Sequence, residues 1–394
     1  MEGRKRMAWT DSRRGISEKF PVGMRIICYL SILCGGFNFA NISGFKPLKF
    51  RRLSWKNLWS LVLVEAISFN RYRNFIITKA FFGAPVNANR FSETDVKANY
   101  FRFFLLFSAA LLSITYWNVR GQALCDLFNE ALDLDRWMGI DARRRWFWVV
   151  GSLVYSCVWA AVSVLGNVMT PWSPWMAFDI FVTFVVGLNA VTQSVLYAWI
   201  CSQIVRLQVY SIRELREGRM NGKEWLEGRK SLESLAKKLN GVYGPLVMIH
   251  LARNAVLATL LAFLIVRSAA AFGWGSTTVV TFSVSFTCFS IPVLIFFLAA
   301  EPVGIQGIQT LGNDLQVLSL STTIHTLCRS LQGGFPPLQL LMDADGCYKL
   351  RRIHLTVSGF FHLGHGPLAE LIDMILTYVI VLFQFNQVDQ KTKA

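Results

Sequence analysis

Residues 377–385 read "TYVIVLFQF", and the reading of this stretch decides the fold. Five apolar residues separate Thr377-Tyr378 from Gln384-Phe385. A helix turns by about 100° per residue, so positions seven apart lie nearly on one line. Thr377 and Gln384 therefore share a face. Glu370, Asp373 and Gln387 fall within the same wedge, roughly 100° wide. The other faces carry Leu, Ile, Val, Phe and Met. On a bilayer helix each central charge costs about 2.5–3.5 kcal/mol unless it meets protein or water. The stripe is thus either a set of buried hydrogen bonds to neighbouring helices or the wall of a water-lined path.

Composition favours the membrane. Of 394 residues, 53% are hydrophobic and only 16% charged, where soluble domains approach a quarter charged. A crossing needs roughly 20 apolar residues. Runs at 55–82, 99–117, 146–169, 175–204, 246–272, 277–300 and 357–385 meet that need, seven in all. Segment 22–40 holds Arg25, Gly35-Gly36 and Asn38. It reads as a short amphipathic, membrane-touching helix ahead of the first span. No cleavable signal peptide is expected, because the first twenty residues are basic and polar.

The net charge of +16 sits in the segments between apolar runs, which argues against nucleic acid as a partner. With the N-terminus inside, Arg143-Arg144-Arg145, Lys237-Lys238 and Arg351-Arg352 all fall on the cytosolic side, and the turns "TPWSP" and "GWGS" hold no Lys or Arg. This is a positive-inside pattern. The expected fold is all-α: a polytopic membrane protein with seven transmembrane helices, a cytosolic N-terminus, an extracellular C-terminus and a cytosolic helical anchor. Residues 1–54 form a cytosolic N-terminal segment and 55–300 a six-span region with helical extensions. Residues 301–356 form the anchor, and 357–394 the seventh span with a short outer tail. The 203–244 segment reads as helix, a Gly-rich break, then helix.

Soluble-enzyme chemistry finds little support, and no cofactor or metal is expected. "DADG" at 343–346 lacks the remaining ligands of a calcium loop. His354, His362 and His365 do not share one helical face, and glycines interrupt them. The eight cysteines show no C-x-x-C pair and read as buried single thiols.

Thr-Tyr, five hydrophobic residues and Gln-Phe in the last span resemble the signature of insect gustatory receptors, a match carried by Thr377, Tyr378, Gln384 and Phe385. Length, inverted seven-span layout and short C-terminus fit the same family. The resemblance implies a tetrameric ligand-gated cation channel in the plasma membrane, related to insect odorant receptors. Four last-span helices would surround one pore, with Gln384 and Phe385 at an outer gate, followed by Val381 and Thr377. Glu370 and Asp373 would attract cations near its inner end. It also implies a tastant pocket between spans two and six in the outer half of the membrane. Candidate lining residues are Tyr100, Phe104, Trp159, Asn167, Phe178, Asp179, Arg267 and Phe282, with Asp179 and Arg267 pairing across it. The aromatic, weakly acidic lining points to bitter compounds. Partners would be the bilayer, a small tastant and identical or related subunits, some members working only as obligate co-receptors. A G-protein-coupled receptor is the rival reading, but Asp135-Arg136-Trp137 precedes the third span and the charges give the opposite orientation. A transporter would show repeats and broken helices, and neither is visible.

Overall fold

The computed structural model describes residues 22–42, 47–51, 54–83, 93–138, 149–158, 161, 175–217, 222–330, 355–357 and 361–393. Among these residues the helices are α1 Val22–Leu33, α2 Trp55–Gly83, α3 Glu93–Val119, α4 Gly121–Met138, α5 Val149–Val158, α6 Trp175–Arg216, α7 Gly222–Phe272, α8 Thr277–Ser330 and α9 His365–Lys393. Two short antiparallel pairs accompany them: β1 Phe39–Ala40 with β2 Lys49–Phe50, and β3 Thr356–Val357 with β4 Phe361–His362.

Helices α6, α7 and α8 run for 42, 51 and 54 residues. At about 1.5 Å per residue each is roughly two to three times as long as a hydrocarbon core is thick. Each therefore continues beyond a membrane, and α6 gives way to α7 at the break before Gly222. Ser276 caps the start of α8, its hydroxyl accepting from the Val279 amide. Gly273, at φ +82, ends α7 in the left-handed conformation that glycine adopts without strain.

Length and apolarity qualify α3, α6, α7, α8 and α9 as spans. Helix α2 is long enough at 29 residues but carries Lys56, Glu65, Arg71, Arg73 and Lys79. The described part of the third expected run is the short helix α5. The last run begins later than the sequence reading places it. Val357 lies in β3, and the helix starts at His365. Glycines at 364 and 366 weaken any earlier start, and Pro367 falls in the first turn, where its missing N–H costs nothing.

Burial ranks the helices. Of the most apolar windows, 78% of α6 and 67% of α7 are buried, against 40% and 39% for α3 and α8 and none for α9. Helices α6 and α7 are therefore the centre, and α9 lies on the outside of the chain. Phe37, Phe39, Trp117 and Phe128 close one aromatic cluster, with Phe37 and Phe128 ring centroids 5.0 Å apart.

Helix α1 is part of this core. Met24, Ile27, Cys28 and Ile32 are buried, while Tyr29 and Leu33 stay exposed. Asn189 on α6 donates to the Cys34 carbonyl and accepts from the Ser113 hydroxyl at 2.7 Å. A Cβ on Gly36 would lie 2.6 Å from the Gln193 amide and 2.7 Å from the Ser31 hydroxyl, so a side chain here would have to displace both. Of the described cysteines, Cys28, Cys34, Cys125, Cys201 and Cys288 are buried thiols and Cys157 is exposed. On the polar helix α4, burial pushes the Cys125 thiol up to about 11, which makes it a packing residue rather than a nucleophile.

Candidate functional site: the outer face of the last helix

Helix α9 has two unlike faces. Leu368 and Leu371 pack on the main core, and Leu382 and Phe383 pack against Ala98, Leu260, Phe263 and Leu264. The Phe383 and Phe263 ring centroids are 5.2 Å apart. By helix geometry these positions lie roughly opposite the polar stripe. Glu370, Asp373, Thr377, Gln384 and Gln387 are all exposed, and Val381 is half-buried at the border. Phe385 is 61% exposed. The stripe thus points away from its own bundle. The alternative of hydrogen bonds buried between neighbouring helices is not met within one chain. Thr377 satisfies its hydroxyl locally by donating to the Asp373 carbonyl at 2.9 Å.

One residue breaks the sequence reading of α9 as polar on one face only. Asn386 lies opposite the stripe and is just 2% exposed. Its amide donates to Asp95 Oδ1 at 3.3 Å. Asp95, buried in the first turn of α3, also receives Arg267 from the end of α7, Nη2 to Oδ2 at 3.2 Å and Nε to Oδ1 at 3.3 Å. A carboxylate is well placed there, since a helix N-terminus favours negative charge. Three helices therefore meet at one carboxylate, α9 through the residue that follows Gln384 and Phe385.

The pocket candidates fall into separate groups. Tyr100 and Phe104 line a groove of about 280 Å³ with Ser68, Arg71, Tyr72 and Phe75. The Arg71 guanidinium stands 3.8 Å from the Phe104 ring centroid. Phe178 packs with Phe69 and Trp175 instead, and its neighbour Asp179 pairs with Arg73 of α2 at 2.5 Å. Phe282 lies under Arg102, 4.9 Å from guanidinium to ring centroid. The expected Asp179–Arg267 pair does not form. Each charge is held by a nearer partner, Arg73 for one and Asp95 for the other. Trp159 and Asn167 lie outside the described residues, as do His354 and the 343–346 loop. His365 contacts Glu301 of α8, and no group of three metal-ligating side chains occurs among the described residues.

A family model for the 7tm chemosensory receptors matches residues 24–389. The chain belongs to that family. The insect olfactory receptor OR5 from Machilis hrabei shares the fold with a TM-score of 0.64 at 14% identity, over 92% of this chain and 97% of that one. OR5 in complex with eugenol aligns with a TM-score of 0.57 at 11% identity, over 91% and 97% of the two chains. No curated protein sequence matches. This chemosensory receptor is a multi-pass membrane protein, and it carries its last apolar helix, with the polar stripe, on the outside of the chain.

Sequence reasoning on the receptor missed Asp95, Arg73 and Asn386 as partners. Helical phase could have singled out Asn386, an amide opposite the polar stripe of α9. Asp95 and Arg73 carried no such signal, because their partners come from distant parts of the chain.

Proposed function

We propose that this receptor is a subunit of a tetrameric, tastant-gated, non-selective cation channel of the plasma membrane, gustatory in role and tuned to bitter compounds. It crosses the bilayer seven times, with its N-terminus cytosolic and its C-terminus outside. The observation that carries the reading is the outward polar stripe of α9. Four copies around an axis close a ring through heterologous contacts. The stripe then faces the axis, and Ile372, Leu376 and Tyr378, exposed in the single chain, gain neighbouring subunits or lipid. Thr377, Val381, Gln384 and Phe385 line the conduction path, with Gln384 and Phe385 forming the gate. A small-molecule trigger is supported by the eugenol complex of OR5 and by the aromatic groove at Tyr100 and Phe104. The test is expression in oocytes, alone and with a second family subunit, under a panel of bitter compounds. Ligand-evoked cation current supports the reading. Surface-expressed protein that stays silent in both settings contradicts it.

Glu370 and Asp373 concentrate cations at one end of the path, as acidic rings do in cation channels. Changing both, Glu370→Gln with Asp373→Asn, should move the reversal potential in a salt gradient toward that of the anion. An unchanged reversal potential with normal current would assign the carboxylates to structure instead.

The orientation has its own test. Asn41-Ile42-Ser43 is a glycosylation sequon, and the Asn41 amide donates to the Pro47 carbonyl at 3.0 Å. On the cytosolic side it carries no glycan, so glycosidase should leave gel mobility unchanged. A glycosidase-sensitive shift that disappears in Asn41→Gln would reverse the topology.

A further inference from the structure

Ser68, Arg71, Tyr72 and Phe75 are spaced i, i+3, i+4 and i+7 on α2, and Tyr100 and Phe104 i and i+4 on α3, so each set shares a face. The two faces meet as the groove of about 280 Å³. Phe75 and Tyr100 form one wall, with ring centroids 5.2 Å apart. The Arg71 guanidinium lies over the Phe104 ring. That stacking engages the face of the guanidinium and leaves its five N–H donors at the edge. Among the described residues no hydrogen bond or ion pair reaches them. Glu65 on the same helix is six residues away, about 9 Å along the axis. Tyr72, Phe75 and Phe104 are 65%, 47% and 49% exposed, so the groove opens on the outside of the chain.

Arg73, two residues on, sets the depth of this groove. It pairs with Asp179 and stands 5.5 Å from the Trp175 ring centroid. Trp175 begins α6 directly after "TPWSP", residues 170–174. Tryptophans gather where a bilayer meets water, and two residues of helix rise only about 3 Å. Arg71 therefore stands at the headgroup boundary. A cation without an anion is costly against lipid tails, and the anions held at that depth are the phosphodiesters of the bilayer itself.

A phosphodiester offers two oxygens in the geometry that a guanidinium fork matches, and Ser68 and Tyr72 add hydroxyl groups to the lining. The groove has room for a headgroup and leaves the acyl chains to the bilayer. We propose that the groove between α2 and α3 binds a phospholipid by its phosphate, with Arg71 as the partner of the anion. In the orientation proposed above this is the outer leaflet, and a tastant entering the groove displaces the lipid. Only those two points rest on the channel reading, and the test reads binding alone. The purified full-length chain in dodecyl maltoside, a detergent without phosphate, is photolabelled with a phosphatidylcholine that carries a diazirine close to the glycerol. Labelled peptides are mapped by mass spectrometry, and label should fall within 68–75 or 100–104. Phosphatidylcholine should compete about tenfold more strongly than diacylglycerol with the same chains, the counterpart of one charge-assisted hydrogen bond. Arg71→Gln should abolish that preference while diacylglycerol competes as before. Arg71→Lys, which keeps the charge and loses the fork, should retain part of it. Equal competition by the two lipids on the unchanged protein overturns the proposal whether or not the variants fold. So does a full preference that survives in Arg71→Gln, or competition by inorganic phosphate equal to that of phosphatidylcholine. Label confined to other segments also overturns it and leaves this face to a neighbouring subunit.

Discussion

Asn386→Leu is expected to raise the ligand-free current about tenfold or more at unchanged surface expression. The Asn386 amide and the Arg267 guanidinium share the buried carboxylate of Asp95, so the outer end of α9 is tied to α3 and α7. A hydrogen bond to a charged group contributes about 1.5–3 kcal/mol. If that bond belongs to the resting arrangement, its loss shifts the resting equilibrium roughly 10- to 150-fold. Asp95→Asn should act in the same direction. Its effect is moderated because the Arg267 side chain is 23% exposed and water can take up part of its charge. Combined, the two substitutions should fall short of additive, since they remove the same interaction. A ligand-free current that stays at the parent level in Asn386→Leu, with normal assembly, would make the tie purely structural.

Phe385→Ala should also produce current without ligand. Four phenyl rings around an axis form a dry constriction, and such constrictions gate by dewetting. Phe385 is free to take that position because its own chain leaves it 61% exposed. Removing the ring widens the closed path without disturbing the bundle, as its side chain contributes nothing to the buried core. Gln384→Ala removes only an exposed amide, so permeation or opening should change while tetramer assembly persists. Val379→Ala, on the side away from the stripe, serves as the control and should have a smaller effect on both. Surface-expressed, assembled Phe385→Ala and Gln384→Ala channels that conduct like the parent would remove these residues from the gate.

Much of this was legible in the chain. The seven-residue recurrence of Glu370, Thr377 and Gln384 fixed which face of α9 would differ, and the structure turns that face outward. Long apolar runs likewise located α3, α6, α7, α8 and α9. What the sequence could not convey were long-range partners. Asp179 and Arg267 both looked like lone charges near one end of the membrane. Their true counterparts, Arg73 and Asp95, lie 106 and 172 residues away, and nothing local in the sequence selects among several basic and acidic candidates. The start of α9 was misplaced for a different reason. Hydropathy sees Val357, Phe360 and Phe361 as continuous with the span, whereas the backbone demands of Gly364, Gly366 and Pro367 begin the helix at His365.

The central claim is that the outward stripe of α9 lines a conduction path, and cysteine accessibility under current recording tests it most directly. Single cysteines are placed at Thr377, Val381 and Gln384 on the stripe and at Leu371, Val379 and Leu382 on the opposite side, and a charged thiol reagent is applied during ligand-evoked current. The account predicts rapid block at the stripe positions and little change at the others, so that reactivity follows the helical phase of the stripe. Reactivity without that phase, or block confined to the inward-facing positions, would contradict it.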